Sequence, residues 1–115
     1  MPRPTLLVAE PEPEQALSVR KLILETAKFN VLTAHSTEEA LDLFQLFPNV
    51  NAAVLVQGGK LDCERIADRI KTITDKVPIV GIRCGEVGHT VQSFDPEQLL
   101  NLLRELLGDP REMES

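Results

Sequence analysis

A few groups of side chains in this sequence have the type or spacing to do chemistry. Cys63 and Cys84 are the only cysteines, and their separation fits no zinc pattern. They read as two reduced cytosolic thiols. The sharper alternative is a redox pair: Cys63 falls near the start of a helix, where the dipole lowers a thiol's pKa, and Cys84 falls at the end of the neighbouring strand. His35 and His89 have no partner at metal-ligand spacing and read as loop or strand-end histidines. Gly58-Gly59 is too little for a phosphate loop, and the acidic turn Glu10-Pro11-Glu12-Pro13-Glu14 would repel phosphate. No Ser-His-Asp or Cys-His-Asn grouping can be argued from spacing. With no nucleophile beside a base, no enzyme, metal site or cofactor is expected.

The composition excludes further classes. The net charge is -6, with 12 Lys+Arg against 18 Asp+Glu and no basic cluster, so nucleic-acid binding by this chain alone is not expected. Trp and Tyr are absent and Phe occurs four times, so the core must be aliphatic and stacking platforms for single strands are missing. Apolar stretches stop well short of the ~18 residues of a membrane span, and no secretory leader is visible. A cytoplasmic location is expected. At 115 residues the chain is one compact domain with a real core.

The elements that must position these residues alternate along the chain. Thr5 to Ala9, Phe29 to Ala34, Ala52 to Val56 and Val77 to Ile82 are short apolar runs, as in strands buried on both faces of a parallel sheet. A weaker fifth run is Thr90 to Phe94. Between them lie helical patterns. The first runs from about Pro13 to Ala27. The second starts at the capping box Ser36-Thr37-Glu38-Glu39, with Ala40, Leu43, Phe44 and Phe47 inward. The third is Leu61 to Ile73, with Ile66, Ala67, Ile70 and Ile73 on one face. Asp95-Pro96-Glu97-Gln98 opens the last helix, which carries Leu99, Leu100, Leu102, Leu103, Leu106 and Leu107. Such alternation means βαβ units with helices on both faces of one sheet. Residues 1–108 form the domain, and residues 109–115 read as a polar tail or linker stub.

The order of elements, and two local phrases, resemble the receiver domains of two-component response regulators. The phrases are Phe29-Asn30-Val31-Leu32-Thr33-Ala34 leading to Glu38-Glu39-Ala40-Leu41, and Phe94-Asp95-Pro96-Glu97-Gln98-Leu99-Leu100. The resemblance spans about Thr5 to Leu107. It implies a flavodoxin-like (CheY-like), doubly wound parallel sheet of five strands, order 2-1-3-4-5, working at the C-terminal ends of its strands. It also implies a phosphorylation site: an acidic pair after the first strand that helps hold magnesium, an acceptor aspartate after the third, a Ser or Thr after the fourth and a lysine after the fifth.

Carried over position by position, that site is degenerate. The acidic pair falls on Ala9 and Glu10, the acceptor on Gln57, the hydroxyl on Arg83 and the lysine at or beside Gln92. A neutral amide cannot form an acyl phosphate, and one carboxylate is a poor magnesium anchor. Arg83 reads as a solvated strand-end arginine, with a bridge to Glu10 as the sharper alternative. A second departure is architectural: Cys84 to His89 leaves no room for the family's helix between strands four and five, so that helix is lost or shortened. Its loss should bare an interaction surface of Leu100, Leu103 and Leu107.

The resulting expectation is an atypical pseudo-receiver of two-component-type signalling. It would work without phosphorylation, by binding a protein partner, and pair as a homodimer through the last helix and fifth strand. The alternative is a regulatory domain that binds a small molecule among the loops around Glu10, Gln57 and Arg83.

Overall fold

The computed structural model describes residues 4–10, 29–58, 61–82, 89–91 and 96–107. In chain order these hold β1 (Thr5–Ala9), β2 (Asn30–Ala34), α1 (Thr37–Leu46), β3 (Ala52–Val56), α2 (Cys63–Ile73), β4 (Ile79–Ile82), β5 (His89–Val91) and α3 (Pro96–Leu107). The strands run parallel in the order β2-β1-β3-β4, with β5 beside β4. The helix expected from Pro13 to Ala27 falls outside the described residues.

The unbroken apolar runs of β1, β3 and β4 are explained by what lies on either side of them. Successive residues of a strand point to opposite faces. Leu7, Ala9, Ala53, Leu55 and Ile79 accordingly join one core with α1 and α2, through Ala40, Phe44, Ile66, Ala67 and Ile70. Leu6, Val8, Val54, Val80 and Ile82 join a second core with Phe29 and α3, through Leu99 and Leu103. Both faces are covered, so the fully buried positions of the central strands, Leu6 to Ala9 and Ala52 to Leu55 among them, are all apolar. Each fully buried Leu, Ile or Val contributes roughly 1.5–3 kcal/mol. A charge at Val54 or Leu55 would break one core outright.

Local capping sets where the helices begin. Ser36 Oγ accepts from the Glu39 N–H at 3.2 Å. The returning half of the box differs from expectation by one residue: Glu39 Oε2 accepts from the His35 N–H at 3.3 Å instead of that of Ser36. Asp62 caps α2, accepting from the Arg65 N–H at 3.2 Å, so that helix starts at Cys63 and not at Leu61. Two residues expected to face inward do not. Phe47 is 49% exposed and Ile73 48% exposed, because each lies at or past the last turn, where the helix leaves the sheet.

Parallel neighbours normally need a long crossover, yet only residues 83–88 separate β4 from β5. The register explains how this is possible. His89 pairs with Val80, so the chain leaving Ile82 returns only two residues along the strand. That is about 7 Å, plus one strand spacing of about 5 Å sideways, and six extended residues reach about 20 Å. The strand described is His89–Val91, starting one residue before the expected Thr90, and Gln92 to Phe94 of the expected strand lie outside the described residues.

Candidate functional site

The C-terminal ends of β1 and β3 form the rim where a sheet of this kind binds its ligands. Ala9 is the last residue of β1, pairing with Ala34 on one side and Leu55 on the other. It is fully buried, and its methyl group cannot ligate a metal. Glu10 follows it. The Glu10 N–H donates to the Ala34 carbonyl at 3.0 Å, and the Glu10 carbonyl lies 3.3 Å from His35 Nδ1. Its side chain is entirely buried and held by an interaction with its surroundings. Glu10 is therefore part of the packed interior.

Gln57 is the first residue after β3, and the Gln57 N–H donates to the Ile82 carbonyl at 3.1 Å, extending the β3–β4 pairing by one step. Its side chain is exposed. The chain then turns sharply: Gly58 has φ 146°, in the region that favours a residue without Cβ. The Leu61 N–H donates to the Gly58 carbonyl at 3.0 Å, closing the turn. Next, the Asp62 N–H donates to Thr37 Oγ1 at 2.8 Å, joining the start of α2 to the start of α1. Sequence reasoning missed Thr37, whose only signal was a hydroxyl inside a capping box.

Cys63, the first residue of α2, is buried and disulfide-bonded. This corrects the expectation of two reduced thiols. The single other cysteine of the chain is Cys84, which falls outside the described residues together with Arg83 and Gln92. Glu10 and Gln57 are thus brought to adjacent strand ends, while the bridge between Glu10 and Arg83 involves a residue outside the described set.

On α3, the expected surface needs correction at one residue. Leu103 is fully buried and, with Leu99, belongs to the core beneath the helix. Leu100, Leu102, Leu106 and Leu107 are half-buried and pack against that core. Helical spacing already puts Leu99, Leu102, Leu103 and Leu106 toward the sheet and Leu100 and Leu107 past it, and the burial of Leu99 and Leu103 follows that division.

At the other end of the sheet, where the strands begin, a pocket of about 390 Å³ opens beside the end of α1. Leu32, Leu46, Phe47, Pro48 and Val50 supply its apolar lining, and Thr5, Asn30 and Asn49 its polar edge. The adjacent apolar pair Leu46-Phe47 before Pro48 was the sequence signal for it. Among the described residues, no group of three His, Cys, Asp or Glu could hold a metal ion, and no helix is long and apolar enough to cross a membrane.

No family model and no curated protein matches the sequence. Solved structures do resemble the fold. A response-regulator receiver domain protein from Clostridium thermocellum is 20% identical, covers 97% of this chain and 99% of its own, and superposes with a TM-score of 0.77. A two-component response regulator from Clostridium difficile is 18% identical over 98% of this chain and 100% of its own, with a TM-score of 0.75. The Borrelia burgdorferi CheX-CheY-BeF3-Mg2+ complex contains a chain 18% identical, covering 89% of this one and 87% of its own, at a TM-score of 0.70. Identities this low speak for architecture and leave the chemistry to the residues at the rim. The chain has the flavodoxin-like, CheY-like fold of response-regulator receiver domains.

Proposed function

We propose that this chain is a receiver-fold interaction domain that acts without phosphoryl transfer. The observation that carries the reading is Gln57. It occupies the first position after β3, solvent-facing, where the receiver pattern has its acceptor aspartate. An amide nitrogen is a poor nucleophile toward phosphorus, and Ala9 removes one of the carboxylates that would hold magnesium. The domain is not an enzyme on this reading, and it uses no cofactor. On this reading the sheet takes the order 2-1-3-4-5, with β5 at its edge.

Its output is contact with another protein. The CheY chain of the Borrelia burgdorferi complex is bound to CheX, so the architecture supports that use. The surface proposed here is the outer flank of α3 with β5, where Leu100 and Leu107 are half-buried, and a homodimer through this flank is the expected assembly. The cytoplasm is the compartment this role implies. The test is incubation of the full chain with acetyl phosphate, or with beryllofluoride, each with Mg2+. The expected result is an unchanged mass and an unchanged amide NMR spectrum. A hydroxylamine-sensitive phosphate adduct would refute the reading.

A further inference from the structure

We propose that the opposite end of the sheet, beside the last turn of α1, is a second docking surface, built for a basic amphipathic segment of a partner protein. This goes beyond the interaction surface on α3 and does not depend on it.

The site is preformed. Its floor is pinned where the strands begin: the Asn30 N–H donates to the Pro4 carbonyl at 3.0 Å, and the Thr5 N–H donates to Asn51 Oδ1 at 2.8 Å. The wall is fixed too, because the Phe47 N–H closes α1 onto the Leu43 carbonyl at 2.8 Å. Two large apolar side chains are nonetheless left in water, Leu46 at 70% and Phe47 at 49% exposure. Between them and Leu32 and Val50 lies the pocket of about 390 Å³, within the size range that takes one anchored group.

Charge selects the occupant. Residues four apart are neighbours on a helix surface, so Glu38, Asp42 and Leu46 form one exposed row leading to the pocket. Glu39 is exposed in the same helix, and α1 contains no basic residue. Glu38 is shared with Arg65 at 3.1 Å on the α2 side, which leaves Asp42 as the carboxylate one turn from Leu46. A complementary segment places an aliphatic or aromatic side chain in the pocket and Lys or Arg one helical turn away, against Asp42. The whole chain carries -6, which favours approach of such a cation at low salt.

The test uses the full chain and a fluorescein-labelled amphipathic helical peptide of Leu and Lys, with its Leu/Glu counterpart as control. The expected result is saturable anisotropy with the Lys peptide only, weakening as salt rises. Amide shifts should gather at Asn30, Leu32, Leu46 and Phe47. Leu46→Asp should weaken binding at least tenfold, and Asp42→Lys about threefold to tenfold with a flatter salt dependence. Both positions are exposed, and circular dichroism confirms that the variants fold. Equal binding of the Glu peptide, shifts confined to α3, binding insensitive to Leu46→Asp, or no binding at all would each overturn the proposal. So would sedimentation showing that Leu46 and Phe47 are covered by a second copy of the chain.

Discussion

Thr37 and Asp62 join the two helices that flank the rim: the Thr37 hydroxyl accepts from the Asp62 backbone N–H at 2.8 Å. Each residue stands at the start of its helix, Thr37 inside α1 and Asp62 capping α2. One bond therefore sets the spacing of two helix starts across 25 residues of sequence. Thr37 is buried, so its removal leaves the Asp62 N–H short of a partner. Thr37→Val should lower stability by about 1 kcal/mol, whereas Thr37→Ser keeps the bond and stays close to the parent. Urea denaturation checks both, and an undisturbed Thr37→Val midpoint would show that water replaces the hydroxyl.

Gln57→Asp by itself should not create a phosphorylatable domain. The substitution is solvent-facing, so folding should be retained. The neighbouring requirements stay unmet, since Ala9 offers no ligand and Glu10 is packed inside. Incorporation from radiolabelled acetyl phosphate should remain at background. Strong labelling of the single variant would mean that Glu10 supports a metal despite its burial.

Leu103 and Leu107 should separate folding from association. Leu103 is fully buried, so Leu103→Ala should cost about 3 kcal/mol and leave any self-association a secondary matter. Leu107 is half-buried on the flank, and Leu107→Glu should change stability little while weakening a dimer built on that face. Sedimentation at micromolar concentration reads the second effect. A parent chain that is monomeric at that concentration would remove the dimer from the proposal.

Reduction should weaken the domain. Cys63 is disulfide-bonded, and losing a disulfide costs a small domain about 2–4 kcal/mol. Thermal unfolding with and without a phosphine reductant should show that loss, and Cys63→Ser should behave like the reduced parent. Iodoacetamide labelling of both thiols in the unreduced protein would contradict it. In a reducing cytoplasm the bond would be open much of the time, so the two forms deserve comparison in every binding assay.

What the sequence by itself determined is the architecture. Short runs buried on both faces, such as Ala52–Val56, have only one economical home, the middle of a parallel sheet between two helical layers, and the capping residue Ser36 marks where α1 starts. Residue type alone also says that Gln57 cannot act as a carboxylate. Tertiary structure decided everything that depends on which side of an element meets which neighbour. It fixed how deep each leucine of α3 lies, Leu103 fully buried and Leu102 and Leu106 only half-buried although helical spacing turns all three to the sheet. It buried Glu10, turned Leu46 and Phe47 outward over a pocket, and bonded Thr37 to Asp62. It also put Cys63 in a disulfide. Each of these is a contact between segments far apart in the chain, and periodicity within one segment carries no information about its distant neighbours.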